Sequence, residues 1–391
     1  MIGMRFTGGV IYPPLDHPLW LVIAFLVGSC IGSFLNVVIY RLPLGLSVND
    51  PKRSFCPNCK KEIPLRLNVP LISWLWLRGR CKECKTPISV RYFVVELLTG
   101  ILFVAGYWVL IGHVSTTQFE IGLLALIPIW FMLAAFVAIV FIDAEHMIIP
   151  LELTVSGTVA GFLTAALLPV MPDLVAWNSP DPTWKGGLWQ SLLGFILGYF
   201  GLWAIVLLGK LAFGRFELKH DEPVDWRLEE PKGDEDPILF HMGEESIEWW
   251  DIFFRKTDRL IIEAQSLEVD GEKTDPGLVT ISELTVTLPD GKVIQIEELK
   301  ALSGTSSKAV VPREAMGMGD VHLMGVIGAF FGPIGVFFSL MASSLFAILA
   351  AVLGRIGFGV RLPFGPFLVL GALAWFFGGW KLAVLYLDFM R

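Results

Sequence analysis

Long apolar runs separated by short polar connections make up most of this chain. Such runs occupy 19–40, 93–112, 121–142, 151–170 and 189–213, and three more follow a long polar gap, at 323–331, 334–353 and 364–386. A helix needs about 20 mainly apolar residues to cross the hydrocarbon core of a bilayer. The pattern therefore predicts an all-α polytopic membrane protein with about eight transmembrane helices, one of them short. Each span is a helix because backbone groups in lipid must be satisfied within their own segment. The first run lacks a small-residue cleavage site leading into a mature domain, so it reads as a retained span rather than a removed leader. The gap at 215–314 has another rhythm. Apolar and polar residues alternate over 260–268, 278–288 and 292–298, and the last two stretches flank the turn Pro289-Asp290-Gly291. That is the signature of an inserted small β-rich domain. Its first part, 220–236, is acidic with Pro and Gly and reads as a linker. No internal repeat is evident.

Composition supports the membrane reading. Of 391 residues, 54% are hydrophobic and 17% charged, against about 45–50% and about 25% in ordinary globular chains. Mean hydropathy is +0.65 and the pI is about 5.5. These values exclude a disordered chain, a secreted disulfide scaffold and a basic nucleic-acid-binding module. The net charge of −7 is unevenly spread. Residues 41–91 carry eleven Lys and Arg against Asp50, Glu62 and Glu83, a balance of +8. Short basic loops stay in the cytoplasm, so this loop and the linker holding Arg355 and Arg361 are expected inside, with the N-terminus outside. Segment 215–314 holds 24 acidic and 12 basic residues, a balance of −12 that leaves +5 for the rest. The same topology puts it in the cytoplasm, where its role is open: a protein partner, a gate, or none.

Cys56-Pro-Asn-Cys59 and, 21 residues later, Cys81-Lys-Glu-Cys84 form two CxxC pairs. This spacing is a zinc-ribbon pattern: each pair presents two thiolates to one ion, and four fill a tetrahedron. Two disulfides are the alternative, but they need an oxidising compartment and the basic loop is read as cytoplasmic. Four cysteines leave no open coordination position, so the metal is expected to be structural. Cys30, in the first span, reads as a small buried packing residue.

Asp143 ends the third span, and Asp320 opens the sixth in Met316-Gly317-Met318-Gly319-Asp320. The topology puts both at the cytoplasmic face. An acid at a helix C-terminus opposes the helix dipole, so Asp143 calls for a reason. Gly317 and Gly319 free the backbone just before Asp320. Paired carboxylates can divide into an acid and a base that activates water. The plainer readings are an N-cap for Asp320 and a water-facing interfacial acid for Asp143.

Gly317-Met-Gly319-Asp320 resembles the GxGD signature of intramembrane aspartyl proteases. Asp143-x6-Pro150-Leu-Glu-Leu-Thr154 resembles the partner motif of the bacterial type IV prepilin peptidases. Gly32-Ser-Phe-Leu-Asn-Val-Val-Ile-Tyr-Arg-Leu-Pro43 is similar to that family's first-helix motif, followed in order by the four cysteines and Arg91-Tyr-Phe-Val-Val-Glu96. Pro363-Phe-Gly-Pro366 resembles its last-helix motif. The resemblance covers nearly everything outside 215–314. It departs at His322, where the family usually has Lys, and in the inserted domain.

The resemblance implies two activities. One is cleavage of prepilin and pseudopilin leaders after Gly, on the cytoplasmic side of the bacterial inner membrane, with Asp143 and Asp320 as catalytic residues. The other is N-methylation of the new N-terminal residue, with S-adenosylmethionine as methyl donor and Zn2+ as structural metal. Candidate methyltransferase residues are Gly32, Asn36, Arg41 and Glu96, although Arg41 and Glu96 could simply pair with each other. On this reading 1–112 is the methyltransferase part, 113–214 with 315–391 the peptidase core, and 215–314 an insert without catalytic residues. The alternatives are a member retaining only peptidase activity, a transporter using intramembrane acids, and a zinc-bearing scaffold. Against a transporter, both acids sit at one face rather than at the midplane of repeated halves.

Overall fold

The computed structural model describes residues 5–7, 10–12, 17–50, 54–56, 58–64, 67–111, 119–167, 183–213, 215–229, 238–253, 258–312, 317–355 and 362–389. The chain separates into two compact units, Met1–Trp203 with Gly317–Arg391, and Ala204–Met316.

The first unit is helical. It opens on a hairpin, β1 (Arg5–Thr7) and β2 (Val10–Tyr12), which the apolar pattern did not anticipate. Then come α1 (Pro18–Arg41), the short α2 (Ile72–Trp76), α3 (Val90–Ile111), α4 (Phe119–His146), α5 (Leu151–Leu167) and α6 (Trp184–Phe213). Among the described residues, six helices are long and apolar enough to cross a membrane: Pro18–Arg41, Val90–Leu110, Leu126–His146, Trp184–Lys210, Met318–Leu353 and Gly365–Leu382. Leu151–Ala166 is apolar but shorter. The expected segments 323–331 and 334–353 lie on a single stretch, Met318–Leu353, that breaks at Gly332.

Gly332 has φ +67° and precedes Pro333. A left-handed glycine followed by a residue without an amide hydrogen ends the helical ladder. The packing shows what the break does. Gly319 and Gly365 both lie against Ile149, so their helices start at the same end of the bundle. Along the helix from Gly365, Gly371 meets Ser339, Trp375 stacks 5.3 Å from Phe338, and Phe376 lies 6.3 Å from Phe331. Rising numbers on one side meet falling numbers on the other. The arm after Gly332 therefore runs back toward the end where Asp320 begins.

Small residues bring the helices close. A Cβ on Gly32 would lie 2.7 Å from Glu96 Cα, and one on Gly28 would lie 2.8 Å from the Thr99 carbonyl oxygen. Where lipid surrounds the helices, packing of small residues replaces the hydrophobic drive. Cys30 corrects the expectation of burial: it is exposed, because Gly28, Ser29, Gly32 and Asn36 form the face of α1 turned inward.

The second unit carries one nine-stranded antiparallel sheet in the order β10-β9-β8-β6-β11-β3-β4-β5, with β7 on β6. The strands are β3 (Arg215–Glu229), β4 (Leu239–Met242), β5 (Glu245–Glu248), β6 (Leu260–Val269), β7 (Glu272–Thr274), β8 (Gly277–Ile281), β9 (Thr285–Thr287), β10 (Val293–Gln295) and β11 (Leu302–Pro312). The linker expected at 220–236 is corrected over its first ten residues, which belong to β3; the remainder lies outside the described residues. Leu218 and Trp226 of β3 enter the core with Phe240, Ile262 and Val279, while the acids between them face outward. Trp249 and Phe253 pack in the same core, 4.6 Å apart. Arg215 and Pro312 are register partners, so the strands that open and close the insert lie side by side.

Candidate functional sites

Asp143 lies in the last turn of α4, where Met147 takes φ +53° and donates its amide to the Asp143 carbonyl at 2.9 Å. Asp320 lies in the first turn of α7 (Met318–Leu353), whose N-cap is Gly317. The fold brings the two acids together from opposite helix ends: Gly365 lies against both Asp143 and Ile149, and Gly319, next to Asp320, lies against the same Ile149. Both are buried, with 5% and 8% exposure. This corrects the plainer readings: Gly317 takes the N-cap place, and Asp143 does not face water. The amide of Gly365 donates to Asp143 Oδ2 at 3.0 Å, while Asp320 Oδ1 is buried without a hydrogen-bond partner among the described residues. Gly365 sits in the Pro363-Phe-Gly-Pro366 run, which the sequence reading singled out without giving the glycine a role. His322 turns elsewhere. Its Nδ1 lies 2.7 Å from the Met318 carbonyl oxygen, and its ring stands edge-on to Tyr199 at 5.3 Å.

The four cysteines of the loop converge, with their sulfurs all within 4.8 Å of one another. They are free thiols, and Cys56 Sγ lies 3.7 Å from Cys84 Sγ. A disulfide needs about 2.05 Å. Four sulfurs about 2.3 Å from one ion are about 3.8 Å apart at tetrahedral angles, so the cluster could hold a metal ion such as zinc. The two knuckles repeat each other's backbone bonds. The Cys56 amide donates to the Lys61 carbonyl and the Cys81 amide to the Thr86 carbonyl, at 3.0 and 2.9 Å. Lys60 and Lys85 both take the left-handed conformation after their cysteine pairs. The two knuckles are thus a local repeat, which corrects the expectation of no internal repeat. The Thr86 hydroxyl and amide and the Asn58 carboxamide lower the pKa of Cys84 to about 5, while, against a lowering backbone hydrogen bond from Lys61, burial and the three neighbouring sulfurs raise that of Cys59 to about 11; the cluster thus favours a thiolate at Cys84. Lys61 and Glu83 join the knuckles through a 2.9 Å ion pair, and Asn58 reaches the Thr86 hydroxyl at 2.6 Å.

Between the knuckles and the ends of α1 and α3 that adjoin their loop lies a cavity of about 750 Å³, within the range of small-molecule sites. Asn36, Arg41 and Glu96 all line it, as do Cys56 and Cys81. Gly32 stands behind it, with its backbone on Glu96. Asn36 Nδ2 donates to the Tyr92 carbonyl at 3.1 Å and the Gly32 carbonyl at 3.3 Å, while its Oδ1 is buried without a partner among the described residues. Glu96 Oε2 accepts the Leu71 amide at 2.6 Å, and Arg41 donates to the carbonyls of Ser47 and Val48 at 3.2 and 3.1 Å. Glu96 is thus tied to the loop backbone rather than to Arg41. Leu71 itself has φ +62°, an uncommon conformation of the kind stored at ligand sites. Trp74 also lines the cavity, over Gly79 (φ +63°), and donates to the Ile88 carbonyl at 3.4 Å. Sequence reasoning missed it; the available signal was a tryptophan inside an otherwise basic loop.

Comparison with known proteins adds a further finding. Residues 26–110 match the family described as the Bacterial Peptidase A24 N-terminal domain. The chain is similar to a protein of Myxococcus xanthus (strain DK1622) named prepilin leader peptidase/N-methyltransferase. The two are 36% identical over 258 residues, which cover 58% of this chain and 72% of that one. Proteins of the same name in Aeromonas hydrophila and Klebsiella pneumoniae are 35% and 34% identical, over 67% and 81% of their lengths and 50% and 52% of this chain. No solved structure matches.

Proposed function

This chain belongs to the family of prepilin leader peptidase/N-methyltransferases, a family of membrane enzymes, and we propose that its two activities occupy the two places described above. Asp143 and Asp320 cleave the leader of prepilins and pseudopilins after Gly. The cavity beside the cysteine knuckles methylates the new N-terminus. The observation that carries the first assignment is the meeting of two buried carboxylates with one fixed amide donor, that of Gly365. The transporter and scaffold alternatives give way to family membership.

For cleavage, water attacks the scissile carbonyl without a covalent intermediate. The oxygen of Asp143 that accepts the Gly365 amide is occupied, so its other oxygen takes the proton from water. Asp320, whose Oδ1 has no partner among the described residues, gives a proton to the departing amine. His322 faces Tyr199, so replacement of the family's usual Lys leaves the proton transfers to the two acids.

For methylation, S-adenosylmethionine would supply an electrophilic methyl group. The cavity is large enough, and the unpartnered Asn36 Oδ1 offers an acceptor to an amino group of the donor. Arg41 and Glu96 hold the loop backbone that walls the cavity. Zinc in the four-cysteine cluster stiffens the opposite wall through Cys56 and Cys81 and takes no part in the reaction.

The proposed setting is the bacterial inner membrane, crossed eight times, with the basic loop and the insert in the cytoplasm. Two features support it: the +8 balance of 41–91, and the reversal at Gly332, which makes two antiparallel arms of one stretch.

The test is co-expression with a prepilin, reading product mass and N-terminal methylation. Asn36→Leu is expected to yield cleaved, unmethylated pilin. Full methylation by that variant would overturn the cavity assignment.

A further inference from the structure

Arg91 and Glu145 belong to different parts of the helical unit. Arg91 is in the first turn of α3, between Ser89 and Tyr92, which line the cavity. Glu145 is in the last turn of α4, two residues beyond Asp143. Arg91 Nη1 forms an ion pair with Glu145 Oε2. The guanidinium also lies 5.4 Å from the centre of the Tyr92 ring, and the Tyr92 carbonyl accepts Asn36 Nδ2. A continuous path of contacts thus runs from Asn36, through Tyr92, Arg91 and Glu145, to the turn carrying Asp143. The Arg91 side chain is 19% exposed and that of Glu145 37%, so the pair is partly shielded from water. The last turn of a helix lacks half of its backbone partners and frays most readily. In α4 that turn carries one of the two proposed catalytic acids.

We infer that Arg91 and Glu145 are a positioning pair that couples the two sites, so that each activity depends on a residue from the other part of the enzyme. Arg91 holds the Asp143 turn at the spacing needed to meet Asp320. Glu145 in return holds the first turn of α3 and, through Tyr92, the orientation of Asn36. Neither touches a reacting atom. The inference rests on the assignment of cleavage to Asp143 and Asp320 and of methylation to the cavity.

The experiment separates the reactions: cleavage of a prepilin, and methylation of a pilin already cleaved. A partly exposed ion pair contributes up to about 1 kcal/mol, or about fivefold. Glu145→Gln is expected to slow methylation of the cleaved pilin about threefold to fivefold, in kcat rather than KM. Arg91→Ala is expected to slow cleavage by a similar factor, and Arg91→Lys to recover most of it. The exchanged pair, Arg91→Glu with Glu145→Arg, should restore both rates to within about twofold. Unchanged methylation in Glu145→Gln, or an exchanged pair no better than its single variants, overturns the coupling. Lower thermal stability with both kcat values unchanged does the same. Asp143→Asn is the control. Loss of cleavage there without the cross-effects removes the coupling alone, whereas cleavage by Asp143→Asn removes the assignment beneath it as well.

Discussion

The backbone amide of Gly365 donates a 3.0 Å hydrogen bond to Oδ2 of Asp143, across 222 positions of sequence. An N–H from a helix start is a rigid donor, and it holds that one oxygen of the carboxylate against the protein. A Cβ on Gly365 would lie 2.7 Å from that same Oδ2 and 3.0 Å from Ile149 Cδ1. Ile149 is also pressed against Gly319 and has little room to retreat. Gly365→Ala is therefore expected to displace the Asp143 carboxylate. A misplacement of about 1 Å at a reacting group costs about 100-fold. Cleavage should fall 10- to 100-fold, with methylation of an already cleaved pilin retained, as measured in separate assays.

Asp143→Asn and Asp320→Asn should each abolish cleavage. Asn keeps the shape and the hydrogen-bonding reach of Asp but cannot exchange a proton. Loss of general acid or base catalysis removes about 10²- to 10⁴-fold in rate. Effects of two groups that act together do not add, so the double variant should be no slower than the worse single one. Prepilin processing by mass spectrometry checks this. Methylation of a pre-cleaved pilin by the same variants shows that they still fold.

Metal analysis should find about one zinc per chain, held by Cys56, Cys59, Cys81 and Cys84 as thiolates. Cys81→Ser or removal of the metal with a chelator should reduce methylation more than cleavage. The reason is local: Cys56 and Cys81 line the cavity next to Asn36, whereas the aspartates sit on other helices. Metal-free protein with two disulfides would contradict the cluster geometry, in which Cys56 and Cys84 sulfurs stand 3.7 Å apart.

The insert should be dispensable for chemistry. It has its own hydrophobic core, and its opening and closing strands are neighbours, with Arg215 paired to Pro312. Replacing 217–310 with a short Gly/Ser linker should preserve cleavage of a minimal leader peptide. The isolated insert should fold alone and show a β-type circular dichroism spectrum. Complete loss of cleavage in a deletion variant that still inserts and binds metal would make the insert part of the peptidase.

Much of this was legible in the chain itself. Apolar runs of bilayer length follow from the need to satisfy backbone groups within each segment, so the helices could be read without tertiary information. The CxxC pairs were equally plain, because four thiolates from two tight turns have few other uses in a basic loop. Burial, direction and partnership were not. Cys30 and Ser29 are neighbours in an apolar run, yet only Ser29 faces α3. Strand β3 looked like a linker because its core residues, Leu218 and Trp226, are separated by acids and a proline that a long, centrally paired strand can turn outward. The reversal at Gly332, the Gly365 donor to Asp143 and the link from Arg91 to Glu145 depend on which helices lie side by side. Spacing along one helix says which residues share a face, but not which face of another helix will meet it. That is decided by close packing of small residues and by polar groups that find partners far away in sequence.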